Sequence, residues 1–181
     1  MAEDGINDPL IAKRKALKRL GLPDKTPLPS NTKVEQALSR HLALFDRDAT
    51  QKRLLRLRQL ALETMEFLVG FSPLVSGGVV SGTVTAQTGI ELHLTADTPE
   101  AIAHCLINHH IPYLSKDYIV NMGHGQTLTV PGFCFQANQT TIMLKVFSPT
   151  SSRQAPWDTA SSQAAQRWSR ARLATSLRDP Q

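Results

Sequence analysis

The hydrophobic period of the chain changes near residue 70. From Leu54 to Leu68, apolar residues recur at spacings of three and four among lysines and arginines, which is typical of a long amphipathic helix. From Leu74 onward the chain is β-branched and punctuated by glycines, and Ile90, Leu92 and Leu94 alternate with polar residues as in a half-buried strand. The pattern predicts an α+β (α/β) fold, in which N-terminal helices precede a mixed β-sheet.

Turn and capping residues divide the chain into shorter elements. Residues 6–20 predict a short basic helix, and Ser30 or Asn31 can cap a second one. Residues 98–100, threonine, proline and glutamate, are typical of a helix start, and residues 138–139 predict a tight hairpin. Strands are predicted at residues 74–80, 88–96, 113–120, 126–130, 132–137 and 140–147.

The length of 181 residues suits one domain with flanking segments. We expect residues 1–29 to form a basic N-terminal helix and linker, and residues 30–150 to form the core. Residues 151–181 are rich in serine, glutamine, arginine and alanine, which predicts a flexible basic C-terminal tail.

The net charge of +5 is concentrated in these flanks, which predicts contact with an acidic protein or a nucleic acid. Aromatic residues make up 6% of the chain, without the interleaved aromatic and basic pattern of single-strand binders. The charged first 20 residues and the absence of a long apolar run predict no membrane association. The two isolated cysteines predict no disulfide framework, and we expect a cytoplasmic location.

A glycine-rich stretch between two predicted strands is the main candidate for a binding site. It contains Gly77, Gly78 and Gly82. Ser81 directly precedes Gly82 and Thr83 directly follows it, and both carry hydroxyl side chains. Small residues let the backbone approach a phosphate group, whose oxygens can then be bound by backbone amides. The stretch therefore predicts a loop that binds a nucleotide or another phosphate compound.

The spacing of this stretch resembles the signature of the nucleotidyltransferase superfamily, which has the DNA polymerase beta-like nucleotidyltransferase fold. In that signature an Asp-apolar-Asp pair follows the glycine loop, and here Gly89 and Glu91 stand at the two acid positions. The resemblance implies nucleotide binding by the loop, a Mg²⁺ ion held by Glu91, and catalytic roles for Glu91 and His93. A third acid is usual on a later strand, but residues 140–147 contain Lys145 and no acid. Transfer activity is therefore expected to be weak or lost.

The chain also resembles a group of short bacterial nucleotidyltransferase-like proteins of unknown role. The matching motifs are Leu74-Val75 leading into Ser81-Gly82-Thr83, then Leu92-His93-Leu94 with Ala96-Asp97, and Ile111-Pro112-Tyr113 after the predicted helix. This resemblance covers roughly residues 34–150, and it implies a bacterial origin.

The same residues have plainer interpretations. The glycines can belong to a turn or bulge that needs no ligand. Glu91 and His93 share one face of their strand, which either lines a pocket or is solvated. Asp97 fits a helix cap, and the basic face of the long helix fits a solvated surface.

Three functions are consistent with these patterns. The first is a nucleotidyltransferase-like protein that binds a nucleotide or phosphate compound without efficient transfer. The second is an active transferase in which Glu91, His93 or Asp97 replaces the missing acid. The third is a non-enzymatic adaptor or interaction protein that uses its basic surface and tail.

Overall fold

The computed structural model describes residues 9–21, 23, 27–30, 32–34, 36–38, 47–158 and 163–178. Near the N-terminus, helix α1 spans Pro9–Arg19, and residues 32–34 and 36–38 are helical. Much of the predicted linker and the rest of the second predicted helix lie outside the described residues. The predicted long helix is confirmed as α2, Arg47–Phe67, which a 3₁₀ turn at Val69–Phe71 follows.

Among the described residues after Phe71, the structure has three further α-helices and seven strands. The helices are α3, Gly78–Ser81; α4, Pro99–Asn108; and α5, Arg170–Arg178. The strands are β1, Leu74–Ser76; β2, Ile90–Thr95; β3, Leu114–Gly123; β4, Gln126–Ala137; β5, Thr140–Phe147; β6, Trp157–Asp158; and β7, Gln163–Ala164. Helices and a mixed sheet together confirm the predicted α+β class.

The main sheet has the strand order β1-β2-β5-β4-β3. Strands β2 and β5 are parallel, and every other neighbouring pair is antiparallel. The β4–β5 hairpin is confirmed, because Asn138 and Gln139 form its two-residue turn with φ of 48° and 62°. The parallel pair places His93 beside Lys145, which brings together residues more than fifty positions apart.

The main hydrophobic core lies on one face of this sheet, beneath helices α2, α4 and α5, and a second, smaller buried cluster comprises Val120, Met122, Val130 and Phe147. Alternate residues of β2 and β5 point into the main core, and Ile90, Leu92 and Leu144 are fully buried. Leu106 of α4 and Leu173 of α5 belong to the same cluster. The opposite face of the sheet is therefore the one that presents the polar residues of β2 and β5.

The sequence predicts a flexible C-terminal tail. For the described residues of this segment that prediction is wrong. Trp168 extends the edge of β1 through two backbone hydrogen bonds to Val75, of 2.9 and 3.0 Å. The Trp168 ring lies beneath two guanidinium groups, those of Arg58 and Arg172, and Leu173 is fully buried against the core. These contacts make the segment part of the packed domain.

Two predicted strand boundaries are also wrong. Strand β1 ends at Ser76 because a helical turn begins at Gly78, whereas the sequence predicts extended backbone to residue 80. The predicted strands at 126–130 and 132–137 form the single strand β4. Pro131 is tolerated within it because β5 pairs with β4 only from Gly132 onward, so the missing amide lies at an unpaired edge.

Candidate functional site

The glycine stretch forms one compact turn at the end of β1. Gly77 has a φ of 73° and Gly82 a φ of 78°, values that favour glycine because an added Cβ is strained there. Between them α3 makes a single helical turn, in which the amides of Val80 and Ser81 donate to the Gly77 carbonyl at 2.9 and 3.0 Å. We call residues 77–83 the glycine turn.

The remaining predicted residues of this turn lie within the same loop. A Cβ added to Gly78 would lie 2.6 Å from the Thr83 carbonyl oxygen, so the backbone approaches itself closely there. The Thr83 amide lies 3.4 Å from the Ser81 hydroxyl, whose side chain is exposed. The structure thus brings the five predicted nucleotide-binding residues together, and the interpretation as a plain structural turn stays open beside the binding one.

Glu91 lies beside the glycine turn. Strands β1 and β2 pair Ser76 with Glu91, and a Cβ added to Gly77 would lie 3.9 Å from the Glu91 Cβ. Glu91 and His93 share one sheet face, as the period of two predicts. His93 is 3% exposed and Glu91 24% exposed, so this part of the face is largely buried and is not a solvated surface.

Glu91, His93 and Lys145 form a hydrogen-bonded cluster. The Glu91 carboxylate accepts from His93 Nε2 through Oε1 at 2.8 Å, and it pairs with Lys145 Nζ through Oε2 at 2.8 Å. Lys145 is 16% exposed and also lies over the Tyr118 ring, 5.6 Å from its centroid. Both carboxylate oxygens are therefore engaged by cluster members.

The cluster holds Glu91 in its ionised form. Burial raises the pKa of Glu91, but the hydrogen bond from His93 and the charge of Lys145 outweigh it and lower the pKa to about 2. Burial lowers the pKa of His93, against the opposing effect of Glu91. The expected state is an anionic Glu91, a cationic Lys145 and a neutral His93.

His93 is oriented so that only one of its two ring nitrogens contacts the Glu91 carboxylate. Because an ionised carboxylate can only accept, Nε2–H donates to Glu91 and Nδ1 retains its lone pair. Nδ1 is buried and has no hydrogen-bond partner within the described residues, and the ring packs 5.0 Å from that of Phe147. An imidazole held in one tautomer by a carboxylate can accept a proton, provided that a substrate hydroxyl reaches Nδ1.

These residues do not fit a magnesium ion. A side chain at Gly89 would place its Cβ 2.6 Å from the Thr141 carbonyl oxygen, so the first acid position has no room for a ligand. Glu91 is already neutralised by Lys145, and Mg²⁺ requires near-octahedral oxygen ligands. Within the described residues no group of three or more metal-ligating side chains occurs.

Asp97 and two histidines, His109 and His124, lie away from this cluster. Asp97 is exposed in the loop between β2 and α4, and His124 occupies the β3–β4 turn with a φ of 51°. His109 packs at the end of α4, 4.8 Å from the ring of Phe67. The structure gives none of these three a contact with Glu91 or His93 that would add it to the site.

Lys145 is the member of the cluster that sequence reasoning missed. In the sequence, residues 140–147 are notable only because they contain no acid, and the lysine among them carries no signal of its own. The signal that identifies it is its register opposite His93, which depends on β2 and β5 being parallel neighbours. Charge complementarity with Glu91 could have suggested the pair once that register was known.

Comparisons with known proteins leave the family open. No protein-family model matches the chain, and a search of curated proteins finds no relative. Within the described residues, no helix combines the length and the apolar character needed to span a membrane.

Proposed function

We propose that this protein binds a nucleotide or another phosphate compound at the glycine turn, with weak or lost nucleotidyl transfer. The observation that supports the proposal is the position of the glycine turn beside the strand that bears Glu91 and His93, since Ser76 pairs with Glu91 and a Cβ added to Gly77 would lie 3.9 Å from the Glu91 Cβ. A loop that binds phosphate oxygens, placed beside a strand with charged side chains, suits the binding of an anionic compound. The same strand could also contact the hydroxyl group to which a nucleotidyl group would be transferred.

The charges of the cluster explain why transfer is expected to be weak. Two-metal transfer needs several carboxylates on one sheet face, whereas here a single carboxylate is paired with an ammonium group. Lys145 supplies a fixed positive charge where such an enzyme would need a third acid. Binding is therefore expected to be the same with and without Mg²⁺.

Isothermal titration with ATP, GTP, CTP, UTP and pyrophosphate, each with and without Mg²⁺, tests the proposal. The matched variants are Ser81→Glu, which adds a negative charge on the exposed side of the glycine turn, and Gln87→Glu, which adds the same charge in the following loop. We expect one compound to bind wild type and Gln87→Glu, and Ser81→Glu to lose that binding while remaining folded. Absence of binding by wild type at millimolar concentrations would disprove the proposal.

Transfer itself is tested separately with nucleotides labelled at the α-phosphate and a mixed acceptor pool of protein, RNA and small molecules. We expect labelling no greater than in the control without protein. Labelling that Glu91→Gln abolishes, with the fold intact, would instead establish an active transferase.

A further inference from the structure

A groove of about 820 Å³ runs along helix α2, on the side of the molecule formed by α2, the loop after the glycine turn and the β4–β5 turn. It shares no lining residue with the glycine turn or with the Glu91 cluster. We call it the α2 groove. Its lining residues are Ala49, Thr50, Lys52, Arg53, Arg56, Leu57, Gln59, Leu60, Glu63, Val84, Thr85, Ala86, Asn138, Gln139 and Thr140.

One end of the α2 groove is basic. Lys52 and Arg56 are exposed on its rim, and Arg53 is fixed in the wall by donating to the Ala86 carbonyl. The Nε of Arg53 is buried without a hydrogen-bond partner within the described residues.

The neighbouring basic residue of the same helix has a different role. Arg58 is 8% exposed, donates to the Val79 carbonyl at 3.2 Å and lies 5.2 Å from the Trp168 ring. It therefore fixes α2 to the rest of the domain. The basic face predicted from the sequence is divided between a structural arginine and three cations that line the α2 groove.

The rest of the α2 groove is apolar and then weakly acidic. Leu60 is the partly exposed apolar side chain of its middle, where Leu57 and Val84 are already buried in the core, and Glu63, which accepts from Gln59 at 3.0 Å, lies at the far end. From residue 52 to residue 63 the helix rises by roughly 16 Å, which matches about five residues of extended peptide. The groove thus has a direction, with cations first and aliphatic surface after them.

We propose that the α2 groove binds a short peptide segment of a partner protein, with acidic residues on Lys52, Arg53 and Arg56 and an aliphatic residue on Leu60. Charge complementarity at one end and apolar burial in the middle define the register of the peptide. In the described part of the chain, the residues that line the groove include no aromatic side chain. A peptide is therefore favoured over single-stranded nucleic acid, which binds through stacking on aromatic rings.

The experiment is selection from a random hexapeptide display library on the full chain. The test variant reverses two rim charges, Lys52→Glu with Arg56→Glu, and the matched control reverses two exposed charges outside the groove, Arg153→Glu with Arg178→Glu. Circular dichroism and urea unfolding establish that both variants fold. We expect wild type and the control to enrich peptides that combine Asp or Glu at one end with Leu, Ile or Val towards the other end, and the test variant to lose that enrichment.

Fluorescence polarisation then measures the affinity of one enriched peptide at low and high salt. We expect the test variant to bind at least about tenfold more weakly than wild type at low salt, because attraction at two positions becomes repulsion. Three results would overturn the proposal: no enrichment on folded wild type, equal loss in the control variant, or preferential binding of a labelled single-stranded DNA oligonucleotide through Lys52 and Arg56. Because the glycine turn is intact in all of these proteins, nucleotide titration remains an independent readout.

Discussion

Replacing Lys145 by methionine tests the charge arrangement of the cluster directly. Lys145 Nζ lies 2.8 Å from Glu91 Oε2, and the two side chains are 16% and 24% exposed. Methionine keeps most of the aliphatic length but removes the ammonium group. The largely buried carboxylate then retains the hydrogen bond from His93 and loses its counter-charge, so we expect the folded state to be destabilised.

The size of the effect follows from the pKa of Glu91. Its value falls from the ordinary 4.5 to about 2, and about 1.4 kcal/mol per unit makes the net stabilisation of the ionised form about 3 kcal/mol. The His93 hydrogen bond is the largest cause that lowers the pKa, and the Lys145 charge is the next. Assigning roughly half of the total to Lys145 predicts a loss of about 1 to 2 kcal/mol at pH 7.

The pH dependence has a defined sign. Because the folded pKa of Glu91 lies below 4.5, its contribution is present above that pH and is lost as the pH falls towards 2. Removing Lys145 raises the folded pKa, so the variant has less of this contribution to lose in acid. We expect the difference between Lys145→Met and wild type to shrink as the pH falls from 5 to 3.

Urea unfolding at pH 7, 5 and 3 measures these differences, and Glu91→Gln completes a double-mutant cycle. The double variant, Glu91→Gln with Lys145→Met, is expected to be more stable than the sum of the single losses implies, because neither charge is left alone. Equal stability of wild type and Lys145→Met at pH 7, or a coupling energy near zero, would refute the reasoning.

Urea unfolding also checks three other substitutions. Leu173→Ala is expected to cost about 2 to 4 kcal/mol, because the leucine is fully buried in the core, and a loss near zero would mean that the C-terminal helix does not pack there. Gly89→Ala should cost about 1 to 3 kcal/mol, since its Cβ would lie 2.6 Å from the Thr141 carbonyl oxygen; unchanged stability would contradict that geometry. Gln139→Gly should add about 0.5 to 1 kcal/mol by relieving a φ of 62°, and a decrease would show that the glutamine side chain stabilises the turn.

The elements with a strong local pattern were predictable from the sequence. The apolar spacing of α2 and the residues that begin α4 each identify a helix within a short window. The two-residue turn at Asn138 and Gln139 identifies a hairpin in the same way. In these cases the signal and the structure it specifies occupy the same stretch of chain.

Pro131 and Trp168 show where that reasoning fails. Proline followed by glycine is typical of a break, yet β4 continues through both residues because no strand pairs with the amide side of Pro131. The C-terminal segment has few apolar residues, but Trp168 pairs with Val75 at the edge of β1, and Leu173 packs in the core with residues of α2. Neither partner can be identified from the segment itself.

The sequence by itself determined the α+β class, the long helix α2, the start of α4 and the shared face of Glu91 and His93. Each of these depends on residues that are close together along the chain, because backbone conformation and side-chain direction follow from local period and turn chemistry. Only the tertiary structure decided that Lys145 neutralises Glu91, that Gly89 has no room for an acid, and that the C-terminal segment completes the core. Those outcomes depend on which strands become neighbours, and that choice is made by the packing of the whole domain.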